Sequence, residues 1–303
     1  MTDDIDGRTA DTSALPRVWR CGPFELVLTP GRPLVMGILN VTPDSFSDGG
    51  RFVSAGKADV RSAVEAGIAM AADGADIIDV GGESTRPGAM TLHPAMEASR
   101  VVPVVERLVA AVDVPVSVDT RNSAVASAAL AAGAVIVNDI SGFRDPAMVH
   151  VAVGSDAGVV VMHMLGDPQT MQDEPHYDDV VGEVSEWLLE CARELEDAGV
   201  AGERIAVDPG IGFGKSTEHN LVLLREARRL ASLGYPLLVG ASRKRFIGEV
   251  TGAADPEVRL EGSLAVALWV AARGATIVRV HDVAPTVRAL DMLAAIDAER
   301  VQD

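Results

Sequence analysis

From residue 34 onward the chain repeats one unit eight times. A short apolar, β-branched run is followed by a polar or glycine-rich loop, then by an Ala/Leu/Glu/Arg-rich stretch with helical spacing. The runs fall at 34–39, 76–80, 114–118, 135–137, 159–162, 205–207, 236–239 and 276–280, and the helical stretches near 55–73, 94–111, 122–132, 145–157, 178–198, 217–233, 257–273 and 284–297. Strands alternating with helices must pair in parallel through helical crossovers. Two architectures satisfy that rule, an open doubly wound sheet and a closed (β/α)₈ TIM barrel. Eight strands favour closure, because a closed ring leaves no strand edge exposed.

Glycines punctuate the pattern. Gly74, Gly133, Gly158, Gly199, Gly234 and Gly274 each stand between a helical stretch and the next strand, where a left-handed C′ residue is expected. Ahead of the first unit, Val18–Cys21 and Phe24–Leu28 flank Gly22-Pro23 and predict an N-terminal β-hairpin, over 17–30, covering the bottom of the barrel. The expected organisation is a disordered tail at 1–16 and one domain at 17–303, with the barrel over about 34–297.

Composition narrows the partners. Among 303 residues, 26 Lys+Arg stand against 44 Asp+Glu, a net charge of −18. That repels nucleic acid and anionic membrane alike, so neither is expected as a partner. The apolar runs are far shorter than the roughly 20 residues of a membrane span. Cys21 and Cys191 supply no disulfide framework. No basic, apolar leader opens the chain, and a reduced, cytoplasmic location is expected.

Chemistry is concentrated after the strands. The first run leads to Asn40; the second contains Asp79 and leads to Glu83, Thr85 and Arg86. Asp119, Asn138 with Asp139, His163 and Asp208 end the next four. Ser242-Arg243-Lys244 follow the seventh, and Arg279 and His281 end the eighth. In a barrel these groups converge on the C-terminal face, where such enzymes hold their sites, whereas the opposite connections are mostly short glycine turns. Arg86, Arg279, His281 and Lys244 suit a phosphate or pyrophosphate. Asp119, Asn138 and Asp208 offer paired donors and acceptors to a flat, nitrogen-rich ring. Asn40 offers a neutral oxygen to Mg²⁺, which needs few protein ligands when diphosphate oxygens and water complete its shell.

Plainer roles compete. Asp119-Thr120 suits a helix N-cap, Asp208-Pro209 and Asn40 suit turns, Arg279 could pair with a surface carboxylate, and His163 could fill the barrel top. Gly210–Thr217 imitates a phosphate loop but fails both patterns: Pro209 stands where the P-loop needs its first glycine, and Lys215 where GxGxxG needs its last. A glycine-rich loop under a flat ligand, with Phe213 beside it, remains open.

Seven segments taken together resemble the dihydropteroate synthase family. They are 36–49 (MGILNVTPDSFSDG), 79–88 (DVGGESTRPG), 116–120 (VSVDT), 137–142 (VNDISG), 208–215 (DPGIGFGK), 240–246 (GASRKRF) and 279–282 (RVHD). The resemblance implies a (β/α)₈ barrel, usually a homodimer, that uses Mg²⁺. The implied reaction joins 4-aminobenzoate to 6-hydroxymethyl-7,8-dihydropterin diphosphate, giving 7,8-dihydropteroate and pyrophosphate. It implies that Asp119, Asn138, Asp208 and Lys244 bind the pterin with Thr85 and Phe213 alongside, and that Arg86 and the segment Arg279-Val280-His281 take the diphosphate. Asn40 is implied to help hold the metal. Loops 41–50 and 85–90 are expected to close over the site, with Asp44, Phe46, Thr85, Pro87, Lys244 and Arg245 shaping the aminobenzoate pocket. Asp119, Asp44, Lys244 and Arg279 are the residues expected to act in the chemical step. A methyltetrahydrofolate methyltransferase-like pterin enzyme and a noncatalytic pterin-binding paralogue are the alternatives, and helix 257–273 is a candidate dimer surface.

Overall fold

In a computed structural model, which describes residues 17–41, 59–83, 92–167 and 170–298, the hairpin comes first. Strand β1 (Val18–Cys21) pairs antiparallel with β2 (Phe24–Val27), Val18 opposite Val27. Eight parallel strands follow: β3 (Leu34–Asn40), β4 (Ile77–Gly81), β5 (Val116–Asp119), β6 (Ile136–Asp139), β7 (Gly158–Met162), β8 (Ile205–Asp208), β9 (Leu238–Val239) and β10 (Ile277–Val280). The sheet runs β8-β7-β6-β5-β4-β3-β10-β9. A parallel bridge between Val207 and Leu237, with the Val207 N–H donating to Pro236 O at 2.9 Å, joins its two ends. The barrel is closed.

Helices cover the outside: α1 (Val60–Ala72), α2 (Pro94–Val109), α3 (Ser123–Ala131), α4 (Pro146–Val153), α5 (Val180–Ala198), α6 (Thr217–Arg225), α7 (Ala227–Ala231), α8 (Arg245–Thr251), α9 (Leu260–Ala271) and α10 (Val283–Ala298). Their starts follow from acidic and amide caps. Asp59, Asn122, Asp145 and Asp179 each accept a backbone N–H of the first turn, satisfying donors that the helix cannot pair itself.

Strand alternation divides the core. Val35, Leu39, Ile78, Val80, Val118 and Val161 point outward into the barrel–helix layer. The inward set begins with an apolar floor, in which Met36, Ile77, Ile136, Val160, Leu238 and Ile277 pack against Trp19, Cys21 and Leu28 of the hairpin. The hairpin plugs the bottom, as expected. Two residues further along the same strands, on the same side, Ile77 gives way to Asp79, Ile136 to Asn138, Ala206 to Asp208 and Ile277 to Arg279.

Four details differ from the sequence reading. Gly158 is not a helix terminator: it opens β7, where a Cβ would lie 2.4 Å from Cys21 Sγ, so the residue is small to admit the plug. Its five counterparts do adopt positive φ. The stretch 217–233 breaks at Glu226 into α6 and α7. The stretch 257–273 starts as a 3₁₀ turn at Pro256–Val258 before α9. Helix α8, only seven residues long, has too few turns to show a periodic signature.

Candidate active site

The polar layer is tightly knit. Fully buried Asp79 accepts Arg279 Nε at 2.6 Å and Asn138 Nδ2 at 3.0 Å, both on Oδ2. Arg279 Nη2 donates to Asp119 Oδ2, also at 2.6 Å. Four strands, β4, β5, β6 and β10, are thereby tied across the barrel mouth. Arg279 faces the interior and does not pair on the surface. Asp119 is not a helix cap, because Asn122 caps α3. Asp208 combines two roles: buried at the end of β8, it accepts the Gly210 N–H at 2.7 Å and so forms the turn as well.

On the far side of the mouth the β8–α6 loop forms a shelf. Lys244 extends across it, its Nζ donating to Ile211 O and lying 4.4 Å from the Phe213 ring centre, a cation–π contact. Gly212, at φ +84°, is required here, since a Cβ would stand 2.9 Å from Lys244 Cδ. Gln172 Nε2 donates to Gly212 O at 2.9 Å, Tyr177 OH to Gly214 O at 2.8 Å, and the Gly212 N–H to Asn220 Oδ1 at 2.7 Å. Beneath the shelf Lys215 is buried, with Nζ 2.9 Å from His163 Nδ1 and donating to Phe213 O at 2.9 Å. His163 thus supports the loop from below. At the β10 end the His281 N–H donates to Ser242 Oγ at 3.2 Å, with Nδ1 3.1 Å from the same oxygen. Arg243 grips Asp282 through Nε at 3.0 Å and Nη2 at 2.7 Å, fixing the two loops to each other.

Burial strains the charges of this layer. It pushes the Asp119 carboxyl up to about 7, against the opposing pull of Arg279 and with Asp79 adding to the rise. It raises Asp208 as well, with Lys244 opposing. The Lys244 ammonium is drawn down to about 8, again by burial, with Asp208 opposing. Burial also works against Arg279, but Asp79 and Asp119 outweigh it and hold the guanidinium charged. His163 is lowered to about 3 by burial and then by Lys215, so its ring is neutral.

Of the residues read from the sequence, Asn40, Asp119, Asn138, Asp208, Phe213, Lys244, Arg279 and His281 all belong to the C-terminal ends of the strands or the loops that follow them. The Val280 side chain alternates outward from Arg279 and is buried in the barrel–helix layer, which leaves its backbone to meet a ligand. Arg245 is exposed on α8, where Nη2 donates to Gln172 Oε1 at 3.3 Å and Nε lies 3.2 Å from Glu249. Asp44, Phe46, Thr85, Arg86 and Pro87 lie outside the described residues. Asp79 opens the family-like segment 79–88 but sits inside an apolar run, and its inward parity with Arg279 is the signal that marks its role. The Lys215–His163 contact spans 52 residues and has no local signature.

The mouth also fits a hard cation. A Cβ at Gly81 would lie 3.6 Å from both Asn40 Oδ1 and Asp119 Oδ2, so an amide and a carboxylate oxygen border one small space. Among the described residues no three His, Cys, Asp or Glu side chains converge into a metal cage. The donor set suits a cation that takes one or two protein oxygens and completes its shell with ligand phosphate and water.

A family model described as pterin binding enzyme matches residues 36–281. The dihydropteroate synthase of Neisseria meningitidis serogroup C is 46% identical over 282 residues, spanning 92% of this chain and 97% of that one. The chain belongs to the dihydropteroate synthase family. Solved structures of the family superpose closely. A Xanthomonas albilineans dihydropteroate synthase with 4-aminobenzoic acid is 49% identical, covering 94% of this chain and 99% of its own, with a TM-score of 0.86. The Burkholderia cenocepacia dihydropteroate synthase complexed with 7,8-dihydropteroate is 46% identical, covering 95% and 99%, with a TM-score of 0.84.

Proposed function

We propose that the chain condenses 6-hydroxymethyl-7,8-dihydropterin diphosphate with 4-aminobenzoate, giving 7,8-dihydropteroate and pyrophosphate in folate biosynthesis. The observation that carries this reading is the gathering of ring-binding and anion-binding groups at one barrel mouth, where Asn138, Asp119 and Arg279 are joined in one hydrogen-bonded network. Asp119, Asn138 and Asp208 present acceptors and an amide to the amino group and ring nitrogens of a pterin. Lys244 and Phe213 flank the ring. Arg279 and His281, with Arg86, take the diphosphate, and Asn40 takes Mg²⁺ beside it. Mg²⁺, when bound, offsets charge on the diphosphate.

The carbon–oxygen bond between the pterin methylene and the diphosphate breaks, and its electron pair leaves with pyrophosphate. Arg279 and His281 are aimed where that negative charge grows. The cation left on the methylene spreads into the electron-rich ring, where the Asp119 carboxylate, with Asp44, opposes it. The neutral amine of 4-aminobenzoate then forms the carbon–nitrogen bond and sheds a proton to pyrophosphate or water. No side-chain nucleophile is required. Water would capture the cation, so loops 41–50 and 85–90 are assigned to exclude it and, with Phe46, Thr85, Pro87 and Arg245, to shape the aminobenzoate pocket.

The hairpin and barrel act as one unit in this reading, supported by Trp19 and Cys21 in the barrel floor. In this reading the protein works in the cytoplasm as a homodimer, and its two cysteines are free. Partly exposed Trp269 on α9 is a candidate contact. The test is a steady-state assay of pyrophosphate release. Release that depends on both 4-aminobenzoate and the pterin diphosphate is expected; pterin binding without turnover would leave a noncatalytic pterin binder instead.

A further inference from the structure

We infer that Asp79 is a positioning residue that couples the ring-binding and diphosphate-binding halves of the site. This rests on the reading above. Asp79 is fully buried, so it touches no substrate. Its Oδ2 alone accepts from both Arg279 Nε at 2.6 Å and Asn138 Nδ2 at 3.0 Å. Arg279 is the strand-end cation assigned to the diphosphate, and Asn138 is the amide assigned to the ring. One oxygen therefore sets the position of both, and neither donor can shift without disturbing the other's acceptor. The second oxygen, Oδ1, has no hydrogen-bond partner among the described residues, nor does Oγ of Ser117, which lies opposite Asp79 in the β4–β5 register. Oδ2 is thus the oxygen through which the carboxylate reaches the site.

The geometry separates this role from simple packing. Arg279 carries two acceptors side by side on one edge of its guanidinium, Asp79 on Nε and Asp119 on Nη2. The bond to Asp79 holds Nε, the nitrogen next to the side-chain stem, so an arriving diphosphate meets a guanidinium that is already oriented. Preordering of this kind lowers the cost of binding a ligand that must engage ring and anion subsites together.

The test compares Asp79→Asn with the native full-length protein. The asparagine keeps the volume and can keep an oxygen toward both donors, but it removes the charge that strengthens the bonds from Arg279 and Asn138. The expected result is a KM for the pterin diphosphate raised about tenfold or more, with the KM for 4-aminobenzoate within about twofold of native. Calorimetry with 6-hydroxymethyl-7,8-dihydropterin and with pyrophosphate, each alone, is expected to show both ligands weakened. Native KM values together with a lowered Tm would make Asp79 purely structural and overturn the inference. Should Asp79→Asn fail to fold, the pair Asn138→Ala and Arg279→Lys, singly and combined, decides it. Coupling through Asp79 makes the double variant depart from the product of the single effects by about fivefold, whereas simple multiplication would refute it. If the native protein releases no pyrophosphate, the functional reading falls, and the two calorimetric titrations still test Asp79.

Discussion

The barrel interior has two storeys built by the same strands. On the lower one Ile77, Ile136, Ala206 and Ile277 meet Trp19 and Cys21 of the hairpin. On the upper one, two residues along, stand Asp79, Asn138, Asp208 and Arg279. Strand geometry is shared, so the contrast comes from side chains alone. The lower storey gains stability by removing apolar surface from water. The upper storey holds charges that burial opposes, and it is a folding burden tolerated for the chemistry.

Substitutions should therefore separate stability from turnover according to height in the barrel. The largest effect is expected at the floor. Trp19→Ala removes a fully buried indole and its 2.9 Å bond to Arg204 O, and should cost about 3–5 kcal/mol in chemical denaturation. Below its lowered Tm, its KM for both substrates should stay native; a changed KM would break the division. One storey up, Asp119→Asn should leave the fold intact, because Arg279 retains Asp79. Turnover should fall about 10²–10³-fold, roughly 2.7–4 kcal/mol of transition-state stabilisation, in a steady-state assay. Native turnover would remove Asp119 from the chemical step. A smaller effect is expected where hairpin meets strand. Gly158→Ala forces a Cβ to within 2.4 Å of Cys21 Sγ and should destabilise by about 1–3 kcal/mol at unchanged KM. Adding Cys21→Ala should restore part of that loss, and strictly additive losses would argue against the clash.

The two storeys were unequally legible in the sequence. Runs such as Val116–Val118 and Val159–Met162 declare strands because both of their faces are buried. Asp119, Asp208 and Arg279 declare chemistry because they end such runs with polar groups that a barrel must gather. Closure was legible only as a count of eight; the Val207–Leu237 bridge that proves it is a long-range fact. Asp79 is harder to read, since within an apolar strand it resembles an isolated exception until Arg279 arrives from 200 positions away. At Val280 alternation turns the side chain away from Arg279 and leaves only the backbone for a ligand, which a segment match does not distinguish. Gly158 looks like a helix end in the sequence because the local pattern is the same whether glycine relieves backbone strain or makes room for a neighbour.

The last contrast is in pH. Burial raises Asp119 from 3.8 to about 7 and lowers Lys244 from 10.5 to about 8, so both groups are charged only near pH 7–8. Activity that needs an ionised Asp119 and a protonated Lys244 should give kcat/KM falling about tenfold per unit below 7 and again above 8. Stability should follow the opposite course. Between 3.8 and 7 the folded state holds the Asp119 proton more tightly than the unfolded chain does, so this group's favourable contribution is lost as pH rises through that window. Between 8 and 10.5 the unfolded chain binds the Lys244 proton more tightly, so the contribution of Lys244 is lost as pH falls through it. The two losses meet where activity peaks. Asp119→Asn should therefore gain Tm relative to the native protein as pH is raised from 4 to 7, and Lys244→Met as it is lowered from 10 to 8, with Trp19→Ala showing no such trend. A Tm difference independent of pH in both polar variants would mean that the upper storey carries its charges without strain.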